Sequence, residues 1–142
     1  MQHAMKVVFE GAFGRRAQRR LKSELVVWLT SIDDLGRPQP RPVWFHWDGT
    51  NLLICSQPRT GKVRQIAARP HVALHFNADE QGNDVVVLSG EARLVKRVPP
   101  DRLKAYLRKY RSAIAGLEMT PESFMGDYSV PILVSPTALR GF

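Results

Sequence analysis

Between residues 38 and 47 the chain reads PQPRPVWFHW, and no other stretch narrows its possible folds as much. Pro38, Pro40 and Pro42 exclude a helix, because each ring removes a backbone N–H and collides with the preceding turn. The segment must be extended. At least part of it must lie where ladder donors are not needed, at a sheet edge or beside a ligand. Asp48-Gly49 follows at once, the strongest hairpin signal in the chain, and residues 51–56, NLLICS, return as its partner strand.

Other segments extend the sheet. Residues 25–32, LVVWLTSI, are β-branched and apolar, and the Asp34-Leu35-Gly36 turn separates them from the proline strand. Residues 71–77 and 84–95 form two more strands, the second with Gly90 as a bend or bulge. A last strand over 128–140 is interrupted by Pro131 and Pro136. Helices are few. A basic helix is expected over 11–24, with a thin apolar stripe of Ala17, Leu21 and then Leu25. A short helix over 62–68 stops before Pro70. Leu103, Tyr106, Leu107, Tyr110 and Ile114 follow helical spacing between Pro99-Pro100 and Gly116, and Thr120-Pro121 opens another short helix. Six antiparallel strands with short turns predict a small mainly β barrel, since closure removes exposed edges. A doubly wound sheet would need a helix after nearly every strand.

The 142 residues suit one domain, 1–142, with a basic helical segment over 1–24 and a helical excursion over 97–127 before the last strand. Cys55 stands alone, which rules out an internal disulfide framework, and it reads as a small buried hydrophobe. No apolar run approaches the roughly 20 residues of a membrane span, and no apolar h-region follows the N-terminal charges. A cytoplasmic protein without membrane contact is the expectation.

The net charge of +8 is clustered. Lys6, Arg15, Arg16, Arg19, Arg20 and Lys22 face one acid, Glu10; Arg59, Lys62, Arg64 and Arg69 face none. Residues 93–111 hold eight basic side chains and one acid, Asp101. Such clusters attract polyanions. Nucleic acid is not the expected partner, because no DNA- or RNA-binding motif is present.

The segment 56–64, SQPRTGKVR, suggests which anion. A strand ends at Ser56, Thr60 stands at a helix N-cap position, and Lys62 falls in the first helical turn. Cations usually avoid that end of the macrodipole. A lysine there makes sense if an anion lies between it and the free N–H groups, with Arg59 and the Thr60 hydroxyl completing a phosphate cradle. This is not a P-loop, since the required early glycine is missing and Val63 replaces the Ser or Thr. The aromatic run Trp44, Phe45 and Trp47 reads first as core. The adjoining prolines free its backbone, so a planar heterocycle could lie along it. GxGxxG, HExxH, GxSxG and CxxC are absent. His71 and His75 lie on a strand with no acidic or thiol ligand nearby in sequence, so no metal site is expected. The acids Asp33, Asp34, Asp48, Asp79, Glu80 and Asp84 crowd into turns and read as turn chemistry.

Taken together, WLTSIDDLGRPQPRPVWFHWDG at 28–49, LICSQPRTGKVRQIAARPHVALHF at 53–76, VVVLSGEARLV at 85–95 and YSVPILVSPTALRGF at 128–142 resemble the flavin- and deazaflavin-binding split β-barrel proteins. These are the pyridoxamine-5'-phosphate-oxidase-like family, and the match is strongest to its actinobacterial F-420-dependent branch. The resemblance covers roughly residues 20–142. It implies a six-stranded antiparallel split β-barrel and a homodimer with cofactor sites at the subunit interface. The strand bearing Arg41, Pro42, Val43 and Trp44 would lie against the tricyclic ring. Ser56, Gln57, Arg59, Thr60, Lys62 and Val63 would belong to the stretch that holds the cofactor phosphate. The implied activity is F-420-dependent hydride transfer to a small unsaturated or quinone-like substrate. The alternatives are an FMN-dependent oxidase or reductase and a non-catalytic cofactor carrier. An F-420 tail of carboxylates would draw on the basic clusters, above all Arg15, Arg16, Arg19 and Arg20. The hydride chemistry would belong to the cofactor, and no catalytic acid or base is assigned.

Overall fold

The computed structural model describes residues 7–142, so Lys6 of the N-terminal basic cluster lies outside the described residues. Its sheet has seven strands rather than six, because the proline-marked segment divides. Helix α1 (Gly11–Ser23) precedes β1 (Val27–Ile32), β2 (Pro38–Val43), β3 (His46–Trp47) and β4 (Leu52–Ser56). Helix α2 (Gly61–Ala68) then leads into β5 (His71–His75) and β6 (Val86–Leu94). Three short helices, α3 (Pro100–Lys109), α4 (Arg111–Gly116) and α5 (Pro121–Asp127), come before β7 (Val130–Gly141).

The strand order is β2-β1-β5-β6-β7-β4-β3, and every pairing is antiparallel. The two edge strands, β2 and β3, are thus separated in sequence only by Trp44 and Phe45. A flat seven-stranded sheet would hold its edges roughly 29 Å apart at ordinary strand spacing. Two linking residues span only about 10 Å. The sheet must therefore curl until its edges meet, and the seam of this split barrel runs through Trp44-Phe45. The three prolines stand on an edge strand, where their missing donors cost no ladder bond.

The same closure divides the core. Val27, Leu29, Phe45, Trp47, Leu52, Ile54, Leu74, Leu88, Ile132 and Val134 fill the barrel, capped by Ala17 and Leu21 of α1 and Ile66 of α2. A second cluster lies outside, where Leu53 and Cys55 meet Tyr106, Tyr110, Ile114 and Phe124 of the helical excursion. Strand β4 is therefore buried on both faces, which is why it reads as an unbroken apolar run.

Several local expectations change in detail. Helix α1 ends at Ser23, and Leu25 is 57% exposed rather than part of the buried stripe. The helix expected through Ile114 bends at Tyr110, which caps both α3 and α4. Its periodicity survives, because the Ile114 N–H still donates to the Tyr110 carbonyl at 2.8 Å. Gly90 marks a bulge as expected: register shifts between Ser89 and Gly90, and a Cβ there would stand 3.0 Å from the Ser135 carbonyl oxygen. Pro136 lies opposite this bulge. Among the described residues, no helix is long and apolar enough to cross a membrane.

A candidate cofactor site at the barrel seam

An open cavity of about 310 Å³ lies beside the seam. One wall is Pro42, Val43 and Trp44, where β2 runs out; Lys62 in the first turn of α2 and Cys55 on β4 add to it. The rest of the lining comes from the excursion and its end: Tyr106, Leu117, Phe124 and Tyr128. The volume is at the lower end for small-molecule sites, and the lining is mostly apolar and aromatic, as such sites usually are.

The cation side is unusual. Lys62 is half-buried, and burial followed by the nearby Arg41 charge pulls its ammonium below the ordinary lysine value. Arg41 is also half-buried and shifted down by burial. Its guanidinium donates to the Ser31 hydroxyl and, at 3.2 Å, to Gln65 Oε1, both neutral acceptors. Ser31 is fully buried and in turn donates to Gln65. Among the described residues no carboxylate pairs with either cation. Two adjacent, partly desolvated positive charges without a counter-ion favour an anion at the start of α2.

The remaining candidates are spread around that helix. Thr60 is the N-cap, but its hydroxyl makes no capping bond; it lies 3.2 Å from the buried Ser56 hydroxyl, which itself donates to the Gln57 carbonyl at 2.9 Å. Gln57 and Arg59 are exposed. Arg59 turns through φ +61°, and its carbonyl accepts from Arg64 at 2.7 Å. Val63 packs against the barrel core. The structure thus brings Pro42, Val43, Trp44 and Lys62 onto one cavity and leaves Arg41, Ser56, Gln57, Arg59, Thr60 and Val63 off its lining.

Helix α1 is elsewhere. Arg20 donates to the carbonyls of Asn77 and Asp84, beyond the last residue of β5, whereas α2 feeds the first residue of β5. The two helices therefore cap opposite ends of the barrel. Arg16 and Arg20 also pair with the Asp84 carboxylate, at 2.9 and 3.4 Å, so within one chain they do not extend the Lys62 site.

The chemistry of the aromatic lining was not legible beforehand. Tyr106 and Tyr110 read as ordinary helix packing, yet Tyr106 lines the cavity together with Cys55. Burial pushes the Cys55 thiol up to about 12, so it is a protonated wall and not a nucleophile. His46 sits on β3, held below the usual imidazole value by burial and then by Arg102; His75 stacks on Trp28, and His71 lies 3.9 Å from Glu91. None of these imidazoles lines the cavity.

A family profile described as pyridoxamine 5'-phosphate oxidase matches residues 13–134. No curated protein matches the sequence. Among solved structures, one similar to this chain is a putative pyridoxamine 5'-phosphate oxidase from Listeria innocua, at 22% identity, covering 89% of this chain and 94% of that one with a TM-score of 0.68. An F-420 reductase is 26% identical, with 87% and 94% covered and a TM-score of 0.65. A heme storage protein from Vibrio cholerae is 14% identical, with 86% and 88% covered, also at 0.65.

Proposed function

The chain belongs to the pyridoxamine 5'-phosphate oxidase family, and from that premise we propose that it binds the deazaflavin F-420 at the seam cavity and serves as an F-420-dependent oxidoreductase. The observation that carries this reading is the pair of half-buried cations, Lys62 and Arg41, that have no carboxylate partner among the described residues. Lys62 shares its cavity with Pro42, Val43 and Trp44. A ligand that joins a flat ring to a phosphate satisfies both halves. Lys62 and the first N–H groups of α2 would take the phosphate. The peptide groups of Pro42–Trp44, on an edge strand, would meet the ring. When bound, the cofactor supplies hydride transfer; the chain binds, orients and shields it. The substrate would be a small unsaturated or quinone-like molecule.

F-420 is preferred to FMN for two reasons. The structural neighbour at 26% identity is an F-420 reductase. The net charge of +8 suits a ligand with several carboxylates better than one with a single phosphate. FMN remains the alternative, because the same cavity and cation would take its ring and phosphate. A non-catalytic cofactor carrier is the alternative of another class.

A homodimer completes the proposal. The outer face of β1 presents Trp28 and Thr30, flanked by Pro42 and Pro40 on β2 and by His75 and Ala73 on β5. This uncharged face adjoins the cavity through Pro42, so a second chain packed there would add a further wall. Parallel titrations with F-420, FMN and FAD test the function. Tightest binding of F-420, with turnover on an electron-acceptor panel, is expected. Tighter FMN binding would transfer the reading to FMN; binding without turnover would leave a carrier.

A further inference from the structure

Trp44 and Phe45 connect the two edge strands, and neither belongs to a strand of the sheet. Phe45 is fully buried, so its peptide groups need other partners. They find them on the helical excursion. The Phe45 N–H donates to Tyr110 Oη at 2.7 Å. Tyr110 Oη lies 2.8 Å from both the Phe45 and the Leu25 carbonyl oxygens, and its one hydrogen can serve either. Lys109 Nζ donates to the Phe45 carbonyl at 2.8 Å and stands 3.8 Å from the centre of the Phe45 ring. Two successive residues at the end of α3 thus replace a missing neighbouring strand. Burial pushes the Tyr110 phenol up, so it keeps the proton it donates.

Tyr110 grips the same link a second time. Its ring is stacked on the Trp44 indole, with centroids 4.6 Å apart and planes within 4°. Phe124 stacks on Trp44 as well, at 5.7 Å and 21°. Trp44 lines the cavity; Tyr110 does not. We propose that Tyr110, with Lys109, is a positioning residue that holds Trp44 as a fixed wall of the seam cavity and so sets the cavity's affinity for a flat ring. The role in ring binding rests on the functional reading above; the positioning of Trp44 does not.

The test uses the full chain and two independent readouts. The first is the indole N–H resonance of Trp44 in the ligand-free protein, identified by its loss in Trp44→Phe. Tyr110→Leu removes stack and hydroxyl together and should shift and broaden that resonance. Tyr110→Phe keeps the stack, and Lys109→Met spares Tyr110 altogether should the tyrosine variants fold poorly; each should give a smaller change. Ile114→Val, in the same apolar cluster, should give none. The second readout is affinity for riboflavin and for FMN. Tyr110→Phe should weaken both by the same factor, roughly 3- to 10-fold, or about 0.6–1.4 kcal/mol, and leave their ratio unchanged. A Trp44 resonance unmoved in Tyr110→Leu and Lys109→Met would overturn the positioning. A resonance that moves while ring affinity stays constant would overturn the link to ligand. If the parent binds neither flavin nor deazaflavin, the functional reading falls, and the resonance still decides whether Tyr110 fixes Trp44.

Discussion

Replacing Lys62 with alanine should separate binding from stability. In the ligand-free fold Lys62 is a half-buried ammonium that feels the Arg41 charge, and among the described residues no acid pairs with it. Its desolvation cost is already incurred, and its loss removes repulsion. The variant is therefore expected to melt no lower than the parent. With a phosphate ligand the sign reverses. A charge-assisted hydrogen bond contributes about 1.5–3 kcal/mol net, or roughly 10- to 150-fold in affinity. The pre-desolvated amine places Lys62 toward the upper part of that range. The assay is titration of parent and variant with FMN and riboflavin, and with F-420 and the deazaflavin riboside that lacks its phosphate. Lys62→Ala should weaken the two phosphate-bearing ligands by the full factor and the phosphate-free pair by less than about twofold. Equal losses for all four ligands would show that Lys62 acts on the ring or the fold. No loss for any would refute the phosphate assignment.

Three further outcomes follow from the same geometry. Light scattering at micromolar concentration should give twice the 16.1 kDa chain mass, and Trp28→Glu on the uncharged outer face should give monomers that lose cofactor affinity; a parent monomer that binds fully would exclude an interface site. Burial lowers Lys109 to about 8 from 10.5, so between those values the unfolded chain holds the proton more tightly and folding stability rises with pH. The melting temperature of the parent minus that of Lys109→Met should accordingly climb from pH 7 to pH 10, and a flat or falling difference would contradict the buried amine. Cys55, with its thiol pushed up to about 12, should resist thiol reagents at pH 8 in the native protein and react on unfolding; rapid native labelling would show that the cavity wall opens.

The fold was legible where one local rule acted alone. The prolines at 38, 40 and 42 announced an edge, Asp48-Gly49 a hairpin and Gly90 a bulge, and each is found in that role. The division of the proline segment was not legible, because nothing local says that β2 and β3 lie at opposite ends of one sheet; only closure of the whole barrel makes Trp44-Phe45 a seam. The site divides the same way. Lys62 stood out because a cation at a helix start is electrostatically costly. Tyr106 did not, because an aromatic residue at helical spacing looks alike whether it fills a core or faces a cavity, and Tyr128 read as the first residue of the last strand. Leu25 misled for a related reason: its spacing continued the α1 stripe past the point where the helix ends.

The central claim is that one cavity holds a ring along Pro42–Trp44 and its phosphate at Lys62. The most direct measurement is an experimental structure of the protein with F-420 bound. The ring should lie along Pro42, Val43 and Trp44, with a phosphate oxygen within hydrogen-bond distance of Lys62 Nζ. A ligand bound with its phosphate away from Lys62, or its ring away from the seam, would contradict the claim.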